Sequence, residues 1–150
     1  MVLIKFRKIT YMKPILLLGV LLLSISVSTA QTELEKINET LYDYIDGTAN
    51  GEPDRVNKAF HSALNLYHVN KDSLVTWGGQ AYINNIKPGR KSNRIGRVVS
   101  VDYENDAAMA KIEILMPARK RIYTDYLLLL KVEGRWKIIH KSFTFRSYPE

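Results

Sequence analysis

The spacing of apolar residues along the chain predicts helices first and strands later. Between residues 34 and 45 apolar side chains recur three or four positions apart, which predicts an amphipathic helix. Thr32 and Glu35 have the capping-box spacing at its start, and Gly47 is its predicted end. A second, shorter helix is predicted from Pro53, since proline fits the first helical turn.

The middle of the chain predicts only short elements. Residues 64–69 have the composition of a strand, and residues 78–86 that of a third short helix. Pro88 and Gly89 then end this helix.

From residue 94 onward the period falls to two, which predicts two antiparallel hairpins. The first turns at Asn105-Asp106 and the second at Glu133-Gly134. Helices followed by an antiparallel sheet make an α+β fold. In the first hairpin we expect one face to be shared by Arg97, Val99, Val101, Tyr103, Ala108, Ala110, Ile112 and Ile114.

The first 30 residues have the pattern of a cleavable signal peptide. Four basic residues precede an apolar run of about 13 residues, and small residues then lead up to Ala30, after which cleavage is expected. An uncleaved membrane anchor is the alternative, but a spanning helix needs about 20 apolar residues. We therefore expect a secreted or periplasmic protein whose working part is one domain, residues 31–150.

Loss of the leader also changes the charge. It removes four basic residues and no acidic one, which reduces the net charge from +7 to +3. Such a surface predicts no nucleic-acid partner, and after cleavage no membrane partner. The chain contains no cysteine, so neither disulfides nor a lipid anchor on cysteine is expected.

Several stretches carry a resemblance to a known family. They are Tyr44-Ile45-Asp46-Gly47, Ala59-Phe60-His61, Trp77 with Tyr82-Ile83, residues 123–131, residues 134–139 and residues 141–143. In order and spacing they resemble the putative lumazine-binding family of the nuclear-transport-factor-2-like (NTF2-like) and SnoaL-like superfamily. The resemblance implies a cone-shaped fold, with three N-terminal helices packed on a curved antiparallel sheet. It does not imply one reaction, because the superfamily includes isomerases, cyclases, dehydratases and domains that only bind.

The register of the second hairpin suggests a candidate catalytic pair. Its two-residue turn pairs Val132 with Arg135, and a regular register from there makes Asp125 and His140 diagonal neighbours on the concave face, about 7 Å apart. A carboxylate beside an imidazole can act as a general acid/base pair. Both residues could equally have structural roles, and a one-residue bulge would move His140 to the other face.

Aromatic residues suggest the walls of a pocket for a flat ligand, because such ligands stack on rings. Core packing is the alternative role for these side chains. The sequence has no spaced metal-ligand cluster and no phosphate-binding loop, so neither a metal nor a cofactor is expected. The candidate ligand-binding residues are Tyr44, Phe60, His61, Trp77, Tyr82 and Tyr123.

Three functions are compatible with these patterns. The first is an exported domain that binds a flat organic molecule, such as a lumazine or a flavin. The second is a cofactor-independent isomerase, cyclase or dehydratase with Asp125 as general base and His140 or a tyrosine as proton donor. The third is an interaction domain that forms a homodimer, and a homodimer is expected in any case. Its outer sheet face would carry Tyr126, Leu128, Ile139, Phe143 and Phe145.

Overall fold

Three helices precede and interrupt the first strands of the chain. A computed structural model describes residues 31–148, and the predicted signal peptide lies outside the described residues. The helices are α1 (Glu33–Asn50), α2 (Pro53–Ala59) and α3 (Gly79–Asn84). Within the described part of the chain, no helix has the length and apolar character needed to span a membrane.

Six strands form one sheet in the order β2-β1-β6-β5-β4-β3. Strand β1 runs parallel to β6, and every other neighbouring pair is antiparallel, so the sheet is mixed. The α+β prediction is confirmed, although the sequence pattern missed β2 and predicted a shorter β1. The strands are β1 (Phe60–Asn70), β2 (Ser73–Gly78), β3 (Ile95–Glu104), β4 (Ala107–Met116), β5 (Arg121–Val132) and β6 (Arg135–Ser147), with a short 3-10 turn at Pro117–Arg119.

Helix α1 covers the inner face of the sheet. Its predicted capping box is present, since the Thr32 side chain accepts from the Glu35 N–H and the Glu35 carboxylate accepts from the Thr32 N–H. Burying one large apolar side chain contributes about 1.5–3 kcal/mol, so this face holds the helix in place. The core joins α1 residues Ile37, Leu41, Tyr44 and Ile45 to sheet residues Ile112, Leu127, Leu129 and Ile138.

The end of α1 differs from the prediction. Gly47 is buried inside the helix, which continues to Asn50 and ends at Gly51 in the left-handed conformation, with φ 69°. The Gly51 N–H donates to the Gly47 carbonyl. The first glycine that fits a helix end is therefore not the one that ends this helix.

The first β-hairpin contains an irregularity that changes one predicted face. Pairing slips between Val98 and Ser100, so that Val98, and not Val99, pairs with Ile112 on the inner face. Arg97 pairs with Glu113 on the outer face, and its predicted place on the inner face is wrong for the same reason. Beyond the slip, Val101 and Tyr103 share the inner face with Ala108, Ala110, Ile112 and Ile114, as predicted.

The second hairpin contains a bulge with larger consequences. Val132 pairs with Arg135 as predicted, and Leu129 still pairs with Ile138. The next pair is Leu128 with His140, so Ile139 is an extra residue in β6. Because side chains alternate between faces, one extra residue moves every later side chain of β6 to the opposite face.

Candidate functional site

The bulge brings a lysine, and not a histidine, to Asp125. Asp125 and Leu127 are two residues apart on β5, so both side chains lie on the inner face, and Leu127 pairs with Lys141 of β6. The Lys141 Nζ lies 2.7 Å from Asp125 Oδ2. Tyr44 of α1 donates its hydroxyl to the same oxygen at 2.9 Å and accepts a hydrogen bond from Lys141 Nζ. We call Asp125, Lys141 and Tyr44 the buried polar array.

The predicted pairing of Asp125 with His140 is wrong. His140 pairs with Leu128 on the outer face and stacks on Tyr67, with ring centroids 4.8 Å apart. The extra residue Ile139 is the physical reason, since the regular register would have placed His140 inside. His140 therefore cannot act together with Asp125 at one site.

Burial makes the polar array electrostatically unusual. Asp125 is 0% exposed and Lys141 is 5% exposed, so both charges are removed from water and depend on each other. Burial, and next the negative charge of Asp125, raise the pKa of the Tyr44 phenol well above its usual value of 10. Tyr44 is therefore a hydrogen-bond donor throughout the physiological pH range.

One oxygen of the array is free. Asp125 Oδ2 accepts from both Tyr44 and Lys141, whereas the buried Oδ1 has no hydrogen-bond partner among the described residues. A buried acceptor without a donor costs about 1–3 kcal/mol, and more when it is charged. Such a group in a native protein calls for an explanation, which can be a catalytic or ligand-binding role, an ordered water or an ion.

The Lys141 ammonium also lies among aromatic rings. Its Nζ is 4.8 Å from the ring centre of Tyr44, 5.6 Å from that of Tyr82 and 5.1 Å from that of Phe143. These distances are within the range of cation–π attraction. Tyr82 and Phe143 are both partly exposed, so the rings beside Lys141 extend from the buried array to the surface.

Three of the predicted ligand-binding residues form one group of rings, which includes Tyr44 of the array. Tyr44 and Phe60 have ring centroids 5.2 Å apart, and Phe60 and Tyr82 have centroids 6.0 Å apart. Tyr44 and Phe60 are buried, which agrees with the alternative that these rings pack in the core. Of the three rings, only that of Tyr82 is partly exposed.

Trp77 and Tyr123 belong to a second row of rings, which we call the mouth cluster. Phe143 is its centre, 4.8 Å from His68, 6.1 Å from Trp77 and 6.3 Å from Tyr123. Tyr123 in turn lies 5.4 Å from Phe145. The mouth cluster comprises Trp77, His68, Phe143, Tyr123 and Phe145.

His61 does not join either group of rings. It follows Phe60 in β1, and the alternation of the strand directs it away from the face that Phe60 occupies. Its Nδ1 accepts from the Ala63 N–H at 3.1 Å, so the side chain serves its own segment. The prediction that His61 binds the ligand is not supported by this placement.

The bulge also changes the composition of the outer sheet face. Phe143 pairs with Asp125 and Phe145 with Tyr123, so both phenylalanines lie on the inner face, and their prediction as outer residues is wrong. Tyr126 and Leu128 do lie outside, 48% and 46% exposed. Together with Met109 and Lys111 they line a shallow groove of about 470 Å³.

Sequence reasoning missed Lys141, His68 and Phe143 as members of the site. A signal for the first and third was present in the chain. Ile138 and Ile139 are two consecutive apolar residues in an otherwise alternating strand, and this break in the period coincides with the bulge.

In the described residues no cluster of three or more potential metal ligands occurs.

Comparison with known proteins agrees with this architecture. The family model described as "Putative lumazine-binding" matches residues 32–144. The chain belongs to this family. The resemblance predicted from the sequence is thereby confirmed, and so is the NTF2-like fold. Putative lumazine-binding domains are one group within that fold, which hosts more than one chemistry.

Relatives include a protein named an aldolase and proteins of known structure. Aldolase FrzH of Cladobotryum sp is 25% identical over 122 residues, which cover 79% of this chain and 94% of the aldolase. An NTF2-like protein of unknown function from Shewanella baltica OS155 is 24% identical with a TM-score of 0.67, covering 79% of this chain and 100% of that one. A putative scytalone dehydratase from Novosphingobium aromaticivorans DSM 12444 is 16% identical with a TM-score of 0.58, covering 79% and 89%.

Proposed function

We propose that the inner face of the sheet binds a flat organic molecule whose polar group reaches the buried polar array. The observation that carries this proposal is the free Oδ1 of Asp125, which is buried and lacks a donor among the described residues. A hydroxyl or N–H group of a ligand would supply that donor. The ligand enters between Tyr82 and Phe143, the partly exposed rings beside Lys141.

The array also supports a second candidate function, proton transfer next to a carbonyl group. Asp125 is a carboxylate with one free oxygen, and Lys141 and Tyr44 are two donors beside it. Asp125 would remove a proton from the carbon next to the carbonyl, and the two donors would stabilise the negative oxygen of the resulting enolate. One of the relatives is named an aldolase, and in an aldol reaction an enolate attacks a second carbonyl group.

Ligand binding is tested by a thermal-shift screen of residues 31–150 with lumazines, flavins and polycyclic ketones, repeated with Asp125→Asn. A ligand at 100 times its dissociation constant adds about 2.7 kcal/mol to the free energy of unfolding. We expect a ligand that stabilises the wild-type domain, and at least tenfold weaker binding after Asp125→Asn. Binding that survives both Asp125→Asn and Tyr44→Phe would contradict the assignment of the site to the array.

Proton transfer has a separate readout. A ligand from the screen that carries a carbonyl group should exchange the hydrogen on its neighbouring carbon with D₂O in the presence of the wild-type domain, as followed by NMR. Asp125→Asn should abolish this exchange, because the amide is not a base. A bound carbonyl ligand that shows no exchange would leave the domain as a binder only.

We further propose that the outer sheet face joins two copies of the domain. Met109, Tyr126 and Leu128 are exposed apolar side chains that form one patch on β4 and β5. Arg97 and Arg146 lie on the same face and share Glu113, so this part of the face holds a charged group beside the apolar side chains. Light scattering should give a dimer for the wild-type domain and a monomer for Leu128→Lys, with Leu34→Lys as the control, because Leu34 is an exposed residue of α1 and not of the sheet. Equal masses for wild type and Leu128→Lys would contradict this proposal.

Export is also proposed, with cleavage after Ala30. The described helix α1 begins with its own cap at Thr32, so a chain that starts at Gln31 retains the complete first helix. The full chain expressed with a secretion pathway should yield a protein whose first residue is Gln31, as measured by intact mass. A mass that includes the first 30 residues would contradict cleavage.

A further inference from the structure

Arg121 lies at the outer end of the mouth cluster, and a second arginine, Arg119, precedes it by two residues. Arg121, the first residue of β5, lies over the Phe145 ring with its guanidinium carbon 3.9 Å from the ring centre. It donates to the Tyr123 hydroxyl over 3.4 Å, which is a long and weak hydrogen bond. Arg119 ends the preceding 3-10 turn and is exposed.

These two arginines differ from the arginines that form ion pairs with carboxylates elsewhere in the domain. Arg55 contacts three carboxylates, and Arg97 and Arg146 share Glu113. Within residues 31–148, neither Arg119 nor Arg121 has a carboxylate within 4.0 Å. The mouth is therefore a region of positive charge beside aromatic rings.

Arg121 and Arg119 also act on the phenol of Tyr123. Partial burial raises the pKa of its phenol, but Arg121 and Arg119 outweigh burial and hold the pKa below the usual value of 10. A positive charge that lowers the pKa of a phenol also favours an anionic ligand group at the same position.

We propose that the ligand of the inner face is an organic anion, with a carboxylate or phosphate group bound by Arg121 and Arg119. This inference rests on the proposed function, since it assigns the second end of the same ligand. The flat part of the ligand lies along Tyr123 and Phe143, and its polar far end meets Asp125 and Lys141. A guanidinium suits the group because its planar donor fork matches both carboxylate and phosphate.

The strand geometry sets the size of this ligand. Arg121 and Asp125 are four residues apart on β5, and a strand rises about 3.3 Å per residue, which separates their Cα atoms by about 13 Å. Tyr123 lies midway and faces the same side. Since both side chains extend toward the ligand, a molecule of two or three fused rings with one anionic substituent spans the distance.

The test compares acids with neutral molecules of the same shape. The probes are anthraquinone-2-carboxylate against anthraquinone-2-carboxamide, and riboflavin 5′-phosphate against riboflavin, measured by calorimetry with residues 31–150. We expect the anion of at least one pair to bind about tenfold more tightly than its neutral partner. The pair that shows the preference distinguishes a carboxylate ligand from a phosphate ligand.

Arginine variants assign that preference to the mouth. Arg121→Gln should weaken binding of the preferred anion by about five- to tenfold and leave the neutral partner within twofold. Arg121→Lys should recover only part of the loss, because lysine lacks the planar fork. Arg135→Gln is the matched control, since Arg135 is an exposed arginine at the opposite end of the β5–β6 hairpin.

Two results would overturn the inference. One is equal binding of anion and neutral partner in both pairs, or an anion preference that Arg121→Gln leaves unchanged. The other is no binding of either anion at millimolar concentration. The proposed function is judged separately, because it requires only that Asp125→Asn weakens binding of whichever probe or screened ligand binds, charged or neutral.

Discussion

Lys141→Met should lower the free energy of unfolding by about 3–5 kcal/mol, which is the usual cost of removing one partner of a buried ion pair. The methionine fills the volume of the lysine chain, but it leaves the fully buried carboxylate of Asp125 with only the Tyr44 hydroxyl as donor. For a domain of this size the melting temperature should fall by roughly 10–20 °C. Urea unfolding at neutral pH measures the change.

A second substitution separates loss of charge balance from loss of packing. In the double variant Asp125→Asn/Lys141→Met no uncompensated charge remains, and the amide can still accept from Tyr44. We expect the double variant to recover at least half of the stability that Lys141→Met loses. Additive losses would show that the two side chains are not energetically coupled.

Lys137→Met is the control for this pair of variants. Lys137 lies on the same strand, but on the outer face and partly exposed. Its loss should cost about 1 kcal/mol or less, in the range of exposed charged contacts. A loss as large as that of Lys141→Met would mean that burial of the charge is not the cause.

The expected energetics also bear on function. A buried ion pair contributes little net stability compared with apolar residues of similar volume, because both charges lose their hydration. The array therefore gives the fold little that leucine and phenylalanine would not give. A site that binds or activates a polar group is the physical reason we infer for Asp125, Lys141 and Tyr44 on an otherwise apolar face.

The composition of this site depends on one extra residue, Ile139, for which a regular two-residue period makes no allowance. The turn at Glu133-Gly134 was predicted correctly, and both residues adopt the positive φ of a two-residue hairpin turn. The predicted register is correct for the first four pairs of β5 with β6. Asp125 was identified as an inner-face residue for this reason. The bulge at Ile139 then places Lys141, and not His140, on the inner face, because one extra residue shifts the register of every later residue in the strand.

Local patterns were reliable where local chemistry decides the structure. The capping box at Thr32 and Glu35 required only neighbouring residues, and it is present. Strand β2 was missed because its inner and outer positions are almost all exposed, so it lacks the apolar alternation on which strand prediction depends. Its place in the sheet comes from pairing with β1, a contact that no short window of sequence contains.

The end of α1 was misplaced for a similar reason, and the glycine that does end it is a strong test of the fold. At Gly51 the backbone has φ 69°, and an added Cβ would lie 2.6 Å from the Arg90 nitrogen and from the Lys87 carbonyl oxygen. These are backbone atoms of a loop bonded to the helix end, since the Gly89 N–H donates to the Gly51 carbonyl. The end of α1 and the loop at residues 87–90 cannot move apart without breaking this hydrogen bond.

Gly51→Ala should therefore lower the free energy of unfolding by about 2–5 kcal/mol, which combines the left-handed strain of about 1–2 kcal/mol with the steric conflict. Gly134→Ala is the matched control, because Gly134 has φ 75° but open space around its added Cβ, and only the strain should remain. Urea unfolding of both variants measures the difference. Equal losses would show that the loop yields to the methyl group. A larger loss for Gly51→Ala would show that this loop fixes the end of the helix that presents Tyr44 to Asp125.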